Sequence, residues 1–81
     1  MSDMFRTHRR ELGERIRRLR EEQGLSTRVF CDMVGMSRRS LSLIEKGETS
    51  PRVVMLERIA LGLGSSVSEL TDFQTDGDPQ D

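Results

Sequence analysis

Apolar residues recur at helical spacing in five separate segments, and no segment alternates with the two-residue period of a strand. Leu12, Ile16 and Leu19 follow an i, i+4, i+7 pattern that predicts a first helix over about 8–23. The other four segments are shorter. They predict helices over about 26–34, 37–46, 51–62 and 66–70. The predicted fold class is therefore all-α, with one core built from the apolar faces of five helices.

Residues that favour helix ends separate these segments. Ser26 and Ser37 stand where a hydroxyl can accept a hydrogen bond from an unpaired backbone N–H at a helix start. Ser66 and Glu69 have the spacing of a capping box. Ser50-Pro51 predicts a cap followed by proline at the first helical position. Glycines that can end helices stand at positions 24, 35, 47 and 64.

The two ends of the chain depart from this pattern. Residues 1–7 are predicted to be an N-terminal extension that is mobile or adds an irregular first turn to the first helix. Residues 8–73 are the predicted domain, and 81 residues are enough for one core only. Residues 74–81 are polar and acidic, which predicts a disordered tail.

The charge distribution is more informative than the net charge of −1. Residues 1–39 carry ten Arg against six Asp and Glu, whereas residues 61–81 carry five acids and no Lys or Arg. Twelve of the 13 basic residues are Arg, whose forked guanidinium suits phosphate or carboxylate. An acidic total therefore does not argue against a nucleic-acid partner.

The composition also argues against several classes of protein. One cysteine excludes an intrachain disulfide and fits a reducing cytoplasm, and no apolar run approaches the roughly 20 residues of a membrane span. His8 and Cys31 are too isolated to indicate a metal site or a nucleophile–base pair. We expect a cytoplasmic protein that is not an enzyme, with no cofactor, no metal and no membrane partner.

The segment from Ser37 to Lys46 carries the main functional signal. Met36, Leu41 and Ile44 can lie on one side of this helix. The residues left on the other sides are Arg38, Arg39, Ser42, Leu43 and Lys46. With the preceding short helix and a turn that begins at Gly35, this segment makes a helix-turn-helix pattern. Such a helix would be held by the core and directed at an anionic partner.

Several separated motifs resemble the Cro/CI-type helix-turn-helix family of phage repressors and restriction–modification controllers, over residues 12 to about 71. The matching stretches are Leu12-Gly13-Glu14-Arg15-Ile16-Arg17-Arg18-Leu19-Arg20, Gly24-Leu25-Ser26, Gly35-Met36-Ser37, Ile44-Glu45-Lys46-Gly47, Pro51 and Leu56-Glu57-Arg58-Ile59-Ala60. The resemblance implies a compact five-helix, lambda-repressor-like domain. It further implies a homodimer that places helix 3 in the major groove of a roughly palindromic operator, as a transcriptional regulator. Such a regulator is expected to be encoded by a bacterium or a phage and to be associated with the nucleoid when bound.

The resemblance also implies roles for individual residues. Base contacts are expected from Arg38, Arg39, Ser42 and Leu43, although Arg38 could instead serve a phosphate and Leu43 could be an ordinary exposed residue. Phosphate contacts are expected from Ser26, Thr27, Arg28, Ser37, Lys46, Thr49, Ser50 and Arg52. Thr27 is shorter than the Gln of many relatives, so the bridge which that Gln makes between a phosphate and helix 3 is in question here.

Two further expectations are structural. In the family, the residues matching Arg20 and Glu45 form an ion pair beneath the DNA surface, and Cys31 stands where relatives often have a small buried Ala. The dimer contact is expected in the helix 4–5 region, through Val54, Leu61, Val67, Leu70 and Phe73. The alternative is that isolated surface apolar residues are normal.

Two other functions stay open. An antitoxin that represses its operon and binds a toxin could use Val29 and Met33, or the acidic tail, for a protein partner. A protein-interaction module on the same fold is the other alternative, and the Arg38–Arg39 pair argues against it.

Overall fold

In the computed structural model the chain forms five helices, and the structure describes residues 3–73. The helices are α1 Asp3–Glu22, α2 Thr27–Val34, α3 Arg38–Glu45, α4 Val53–Gly62 and α5 Val67–Leu70. The described residues contain no strand, so the all-α prediction is confirmed. The tail predicted at 74–81 and the first two residues lie outside the described part.

Helix α1 begins at Asp3, five residues before the predicted start, so residues 3–7 are regular helix instead of an irregular turn. No glycine or proline interrupts this part of the chain, and Met and Arg are good helix formers. After Glu22, Gly24 has a φ of 70°, and the N–H of Leu25 donates to the carbonyl of Arg20 over 3.0 Å. This left-handed residue turns the chain towards α2.

Serine side chains cap three helices at the predicted positions. Ser26 Oγ accepts from the N–H of Val29 over 3.1 Å, and Ser37 Oγ accepts from the N–H of Ser40 over 3.0 Å. Ser66 and Glu69 form a complete capping box, with bonds of 3.1 and 3.2 Å. The start of each of these helices is thus encoded by a local hydrogen bond.

The start of α4 was predicted wrongly. The helix begins at Val53 with extended Arg52 as its N-cap, and its first bond runs from the N–H of Leu56 to the carbonyl of Arg52 over 2.8 Å. Arg52 makes no side-chain cap, since arginine has no acceptor. Pro51 instead lies in the loop beside Leu56 and Phe73, where its ring is half-buried.

The core holds the helices at very short separations. Its fully buried large side chains are Phe30, Ile16, Leu41, Ile59 and Leu70. Helices α1 and α3 make the closest approach: a Cβ built on Gly13 would lie 2.2 Å from the carbonyl oxygen of Ile44. Gly62 allows a similarly close approach of α4 to α2, since a Cβ built on it would lie 2.7 Å from Val34 Cγ1. The depth of α3 is therefore set by a glycine on α1.

Arg15 has a role that the sequence did not reveal. In the sequence, Glu11 and Arg15, and Glu14 and Arg18, have the i,i+4 spacing of ion pairs within a helix. Arg15 Nη1 instead donates to the carbonyls of Glu69, Leu70 and Asp72, over 2.9, 3.0 and 3.1 Å. The i,i+4 ion pairs that form along α1 are Arg17–Glu21 and Arg18–Glu22.

The aromatic ring of Phe73 adds to the contact between α1 and the end of the domain. It stacks on His8 with ring centroids 4.4 Å apart and an interplanar angle of 11°. The guanidinium carbon of Arg15 lies 5.8 Å from the same ring centroid. Together with the Arg15 hydrogen bonds, these contacts fasten the residues after α5 to α1.

Candidate nucleic-acid interface

Helix α3 is buried along one side and exposed along the other. Leu41 is 0% exposed and Ile44 is 4% exposed, so these two side chains fix the helix in the core. Arg38, Arg39 and Ser42 are exposed, and Leu43 is half-buried. Of the four residues predicted to contact bases, three are thus fully presented to a partner, and Leu43 is presented in part.

Arg20 and Glu45 form a forked ion pair beneath this surface. Arg20 Nε donates to Glu45 Oε2 over 2.8 Å, and Arg20 Nη2 donates to Oε1 over 3.1 Å. Only 8% and 9% of the two side chains are exposed. Arg20 Nη1 also donates to the carbonyl of Leu25 over 2.7 Å. One guanidinium therefore ties the end of α3 to α1 and to the α1–α2 turn.

The chemistry of the pair keeps it charged. The hydrogen bond to Glu45 raises the pKa of Arg20 above its ordinary value, and this outweighs burial, which lowers it. A charged, forked pair of this kind fixes geometry well. Its effect here is to hold the last turn of α3 in one orientation.

An open groove of about 640 Å³ lies between α1 and α3, directly above this pair. It brings together four residues predicted to touch DNA, namely Thr27, Arg38, Ser42 and Lys46. The remaining lining residues are Arg10, Glu14, Arg17, Arg20, Glu21 and Glu45. Five of the ten lining residues are basic and three are acidic, so the groove carries a net positive charge.

The side chains of α1 in this groove were missed by the sequence reasoning. Arg10, Glu14, Arg17 and Glu21 follow an i, i+4, i+7, i+11 spacing, which places them on one face of a helix. The spacing was therefore visible in the sequence. The packing of α1 against α3, which turns this face towards the groove, was not.

The other residues predicted to contact phosphates are more scattered. The hydroxyls of Ser26 and Ser37 are engaged in the N-caps, and Ser37 Oγ also donates to Ser40 Oγ over 2.9 Å. Arg28, Thr49 and Arg52 are exposed and lie outside the lining of the groove. Ser50 lines a separate cavity of about 270 Å³ with Phe5, Pro51 and Phe73.

The residues predicted for a dimer contact divide into two groups. Val54 and Leu61 are 62% and 81% exposed on α4, where they project into solvent. Val67 and Phe73 are half-buried against the core. The prediction for Leu70 requires correction, since this side chain is 0% exposed. Leu70 packs inside the domain with the other buried core side chains, so it cannot reach a second chain.

The single cysteine lies in the core. Cys31 is 4% exposed, and burial raises the pKa of its thiol, which disfavours the reactive thiolate. Among residues 3–73 no group of three His, Cys, Asp or Glu side chains is placed to hold a metal ion. No helix within the same range is both long and apolar enough to cross a membrane.

A family model described as a helix-turn-helix domain matches residues 11–73. Control protein C.MunI of a Mycoplasma species is 37% identical over 59 residues, which are 72% of this chain and 80% of that protein. The HTH-type transcriptional regulator PuuR of Escherichia coli K12 is 33% identical over 57 residues, or 70% of this chain. Those residues are 31% of PuuR, so the chain spans about a third of the length of that regulator.

Solved structures show the same arrangement of helices. The restriction–modification controller protein C.AhdI from Aeromonas hydrophila aligns with a TM-score of 0.73 and 27% identity, covering 76% of this chain and 94% of that one. An HTH_3 family transcriptional regulator from Vibrio cholerae aligns with a TM-score of 0.75 and 32% identity. The second alignment covers 82% of this chain and 37% of that one.

Proposed function

The chain belongs to the Cro/CI-type helix-turn-helix family, and on this premise we propose that it is a sequence-specific double-stranded DNA-binding transcriptional regulator. We further propose that it acts as a homodimeric repressor or controller. The observation that carries this proposal is the two-sided environment of α3. One side is locked in the core, and the other side presents Arg38, Arg39 and Ser42 to solvent.

The dimensions of α3 suit the major groove of B-DNA. An α-helix with its side chains is about 10–12 Å across, and the groove is about 12 Å wide. In that position, Arg38 and Arg39 at the start of α3 would each donate a forked pair of hydrogen bonds to O6 and N7 of guanine. Ser42 would bond a base edge one turn further on, and the exposed part of Leu43 would touch a thymine methyl group.

Phosphate contacts would hold α3 in register. Thr27 at the start of α2 and Lys46 at the end of α3 border the same groove as Arg38 and Ser42, whereas Arg39 and Leu43 lie outside its lining. The start of α2 also offers backbone N–H groups, which attract a phosphate. Arg28, Thr49, Ser50 and Arg52 are proposed to extend these contacts along the backbone on either side.

A second copy of the chain would bind the second half-site of the operator. Val54 and Leu61 are seven residues apart on α4 and share one face, and both are more than 60% exposed. We propose that this face, with the half-buried Val67 and Phe73 nearby, pairs two chains about a two-fold axis. Two α3 helices would then meet the operator about one helical turn apart, roughly 34 Å.

Removing either arginine from α3 is expected to weaken binding to the preferred DNA site. That site would be obtained by selecting bound duplexes from a random pool, which also reports half-site symmetry and spacing. Each of Arg38→Ala and Arg39→Ala should lower affinity roughly 5- to 150-fold, because one forked contact to guanine contributes about 1–3 kcal/mol. A gel-shift titration measures the loss.

Arg18→Ala is the control for this test, since Arg18 is an exposed arginine on α1 outside the groove. It should leave the selected site bound almost as tightly as in the parent protein. Full affinity in both α3 variants, or DNA binding that ignores salt, would contradict groove reading. A random pool that yields no bound duplex at all would favour a protein-interaction module on this fold.

A charge on the exposed face of α4 is expected to separate the two chains. In sedimentation at tens of micromolar, the parent protein should show twice the 9.3 kDa mass of one chain, and Leu61→Glu should show one chain mass. The reason is that two opposed carboxylates would have to lose water in an apolar contact. Met4→Glu places the same charge on an exposed methionine of α1 and should stay dimeric. A parent protein that sediments as a monomer would refute this interface.

A further inference from the structure

We infer that α1 carries a second row of phosphate-binding side chains, Arg10 and Arg17, which flank α3 and grip the DNA backbone beside the base-reading surface. This inference rests on the proposed DNA-binding function and extends it to a helix outside the helix-turn-helix unit. The partner is the sugar–phosphate backbone of duplex DNA, and the contact carries no information about base sequence.

The position of the row follows from the packing of α1 on α3. Arg10 and Arg17 line the groove that also holds Arg38, Ser42 and Lys46. Seven residues of helix separate the two arginines by roughly 10 Å along the axis. Successive phosphates of one strand advance by about 3.4 Å along the duplex. The two guanidinium groups would therefore contact different phosphates.

Arg17 can exchange its present ion-pair partner, Glu21, for a phosphate. Arg17 Nε lies 3.1 Å from Glu21 Oε2, with 63% and 54% of the two side chains exposed. An ion pair this exposed is weakly held. Glu21 Oε2 also lies 3.9 Å from Nη2 of Arg20, so Glu21 keeps a cationic neighbour when Arg17 turns to a phosphate. The cost of releasing Arg17 is accordingly small.

The next residue along the helix has the same chemistry on a different face. Arg18 is 61% exposed and lies 3.7 Å from Glu22, which is 60% exposed. It lines a different groove, beside α5, together with Glu69 and Asp72. The two acids of that groove balance its two arginines, whereas the groove beside Arg17 holds five basic and three acidic residues, so the Arg18 side of α1 is less suited to phosphate. Arg17 and Arg18 thus differ in the surface they border and in little else.

A matched pair of neutral substitutions tests the inference. Arg17→Gln and Arg18→Gln remove the same charge from neighbouring exposed positions of one helix, and thermal melts should show both variants folded. Binding is measured by fluorescence anisotropy over a salt series, with the selected duplex and with an unrelated duplex. Arg17→Gln should reduce the slope of log K against log salt by about 0.9, the loss of one phosphate contact.

The size of this effect distinguishes the two arginines. If one phosphate contact is lost, the affinity of Arg17→Gln falls less steeply with salt than that of the parent protein. Between 50 and 200 mM salt, the ratio of the variant's affinity to the parent's should therefore rise about threefold. The loss should be equal on both duplexes, because a phosphate contact ignores sequence. Arg18→Gln should leave the slope unchanged, and Arg10→Gln/Arg17→Gln should lower it by about 1.8.

The acidic partners give an opposite, independent readout. Glu21→Gln removes a negative charge from the groove and frees Arg17, so it should tighten binding to both duplexes. Glu22→Gln makes the same change beside Arg18 and should not. A gain of affinity cannot come from damage to the fold, which makes this pair a check on the first.

Equal effects of Arg17→Gln and Arg18→Gln would overturn the inference. They would show that DNA affinity depends on the overall charge of the protein and not on the position of Arg17. Arg38→Ala, measured on the same selected duplex, separates this failure from failure of the proposed function. If Arg38→Ala loses affinity while Arg17→Gln matches Arg18→Gln, α3 reads the DNA without a second row on α1. If the parent protein binds neither duplex, both proposals fail.

Discussion

Replacing Arg20 by methionine is expected to lower the free energy of unfolding by about 3–5 kcal/mol. The substitution leaves the carboxylate of Glu45, which is 9% exposed, without its forked partner. It also removes the donor to the carbonyl of Leu25. A buried charge without a partner cannot recover the water that it lost on folding, and this makes the single substitution severe.

Urea unfolding followed by circular dichroism measures this loss, and a double variant identifies its cause. Arg20→Met/Glu45→Leu replaces the whole pair with apolar side chains and should recover most of the stability, since such replacements are often neutral. Arg17→Met is the control, because its exposed pair with Glu21 contributes less than about 1 kcal/mol. A double variant no more stable than Arg20→Met would contradict the explanation.

Gly13→Ala is expected to destabilise the protein by about 3 kcal/mol, the upper part of the usual range for overpacking. The added Cβ would lie 2.2 Å from the carbonyl oxygen of Ile44 and 2.7 Å from that of Glu45, and both are backbone atoms. Helices α1 and α3 would have to separate. That movement would loosen the core around Ile44 and pull on the Arg20–Glu45 pair.

The sign of this effect distinguishes a steric clash from helix propensity. Alanine is a better helix former than glycine by about 1 kcal/mol, so propensity alone predicts that Gly13→Ala stabilises α1. Glu14→Ala, at an exposed position one residue along the same helix, measures the ordinary effect of alanine there. A melting temperature for Gly13→Ala at or above that of the parent protein would show that the two helices do not touch as described.

The sequence predicted the features that depend on neighbours along the chain. The caps at Ser26, Ser37 and Ser66 need only a hydroxyl and the N–H three residues ahead, so local sequence is sufficient to find them. The five-helix count follows from apolar spacing in the same way. The start of α4 was misplaced because a proline can precede a helix as well as open it, and local sequence does not separate the two.

Features that depend on which helix face meets which neighbour were predicted less well. Arg15 has an acidic residue at i−4, yet the carbonyls at the end of α5 are its acceptors. Leu70 was predicted to join a dimer contact because it is an apolar residue near Val54 and Leu61. The sequence did not show which way this side chain faces, and it faces inwards. The groove face of α1 was missed for the same reason. Pairing of Arg20 with Glu45 was expected from family resemblance alone, since 25 residues separate them.

On α3 the side chains that hold the helix and those that face solvent are different residues. The first group consists of Ser37, Leu41, Ile44 and Glu45, and the second of Arg38, Arg39 and Ser42. Because the second group contributes neither to the core nor to the cap bond, its members can be exchanged with little effect on folding. If these three residues contact bases as proposed, a library randomised at their positions would vary the preferred DNA site on an unchanged scaffold.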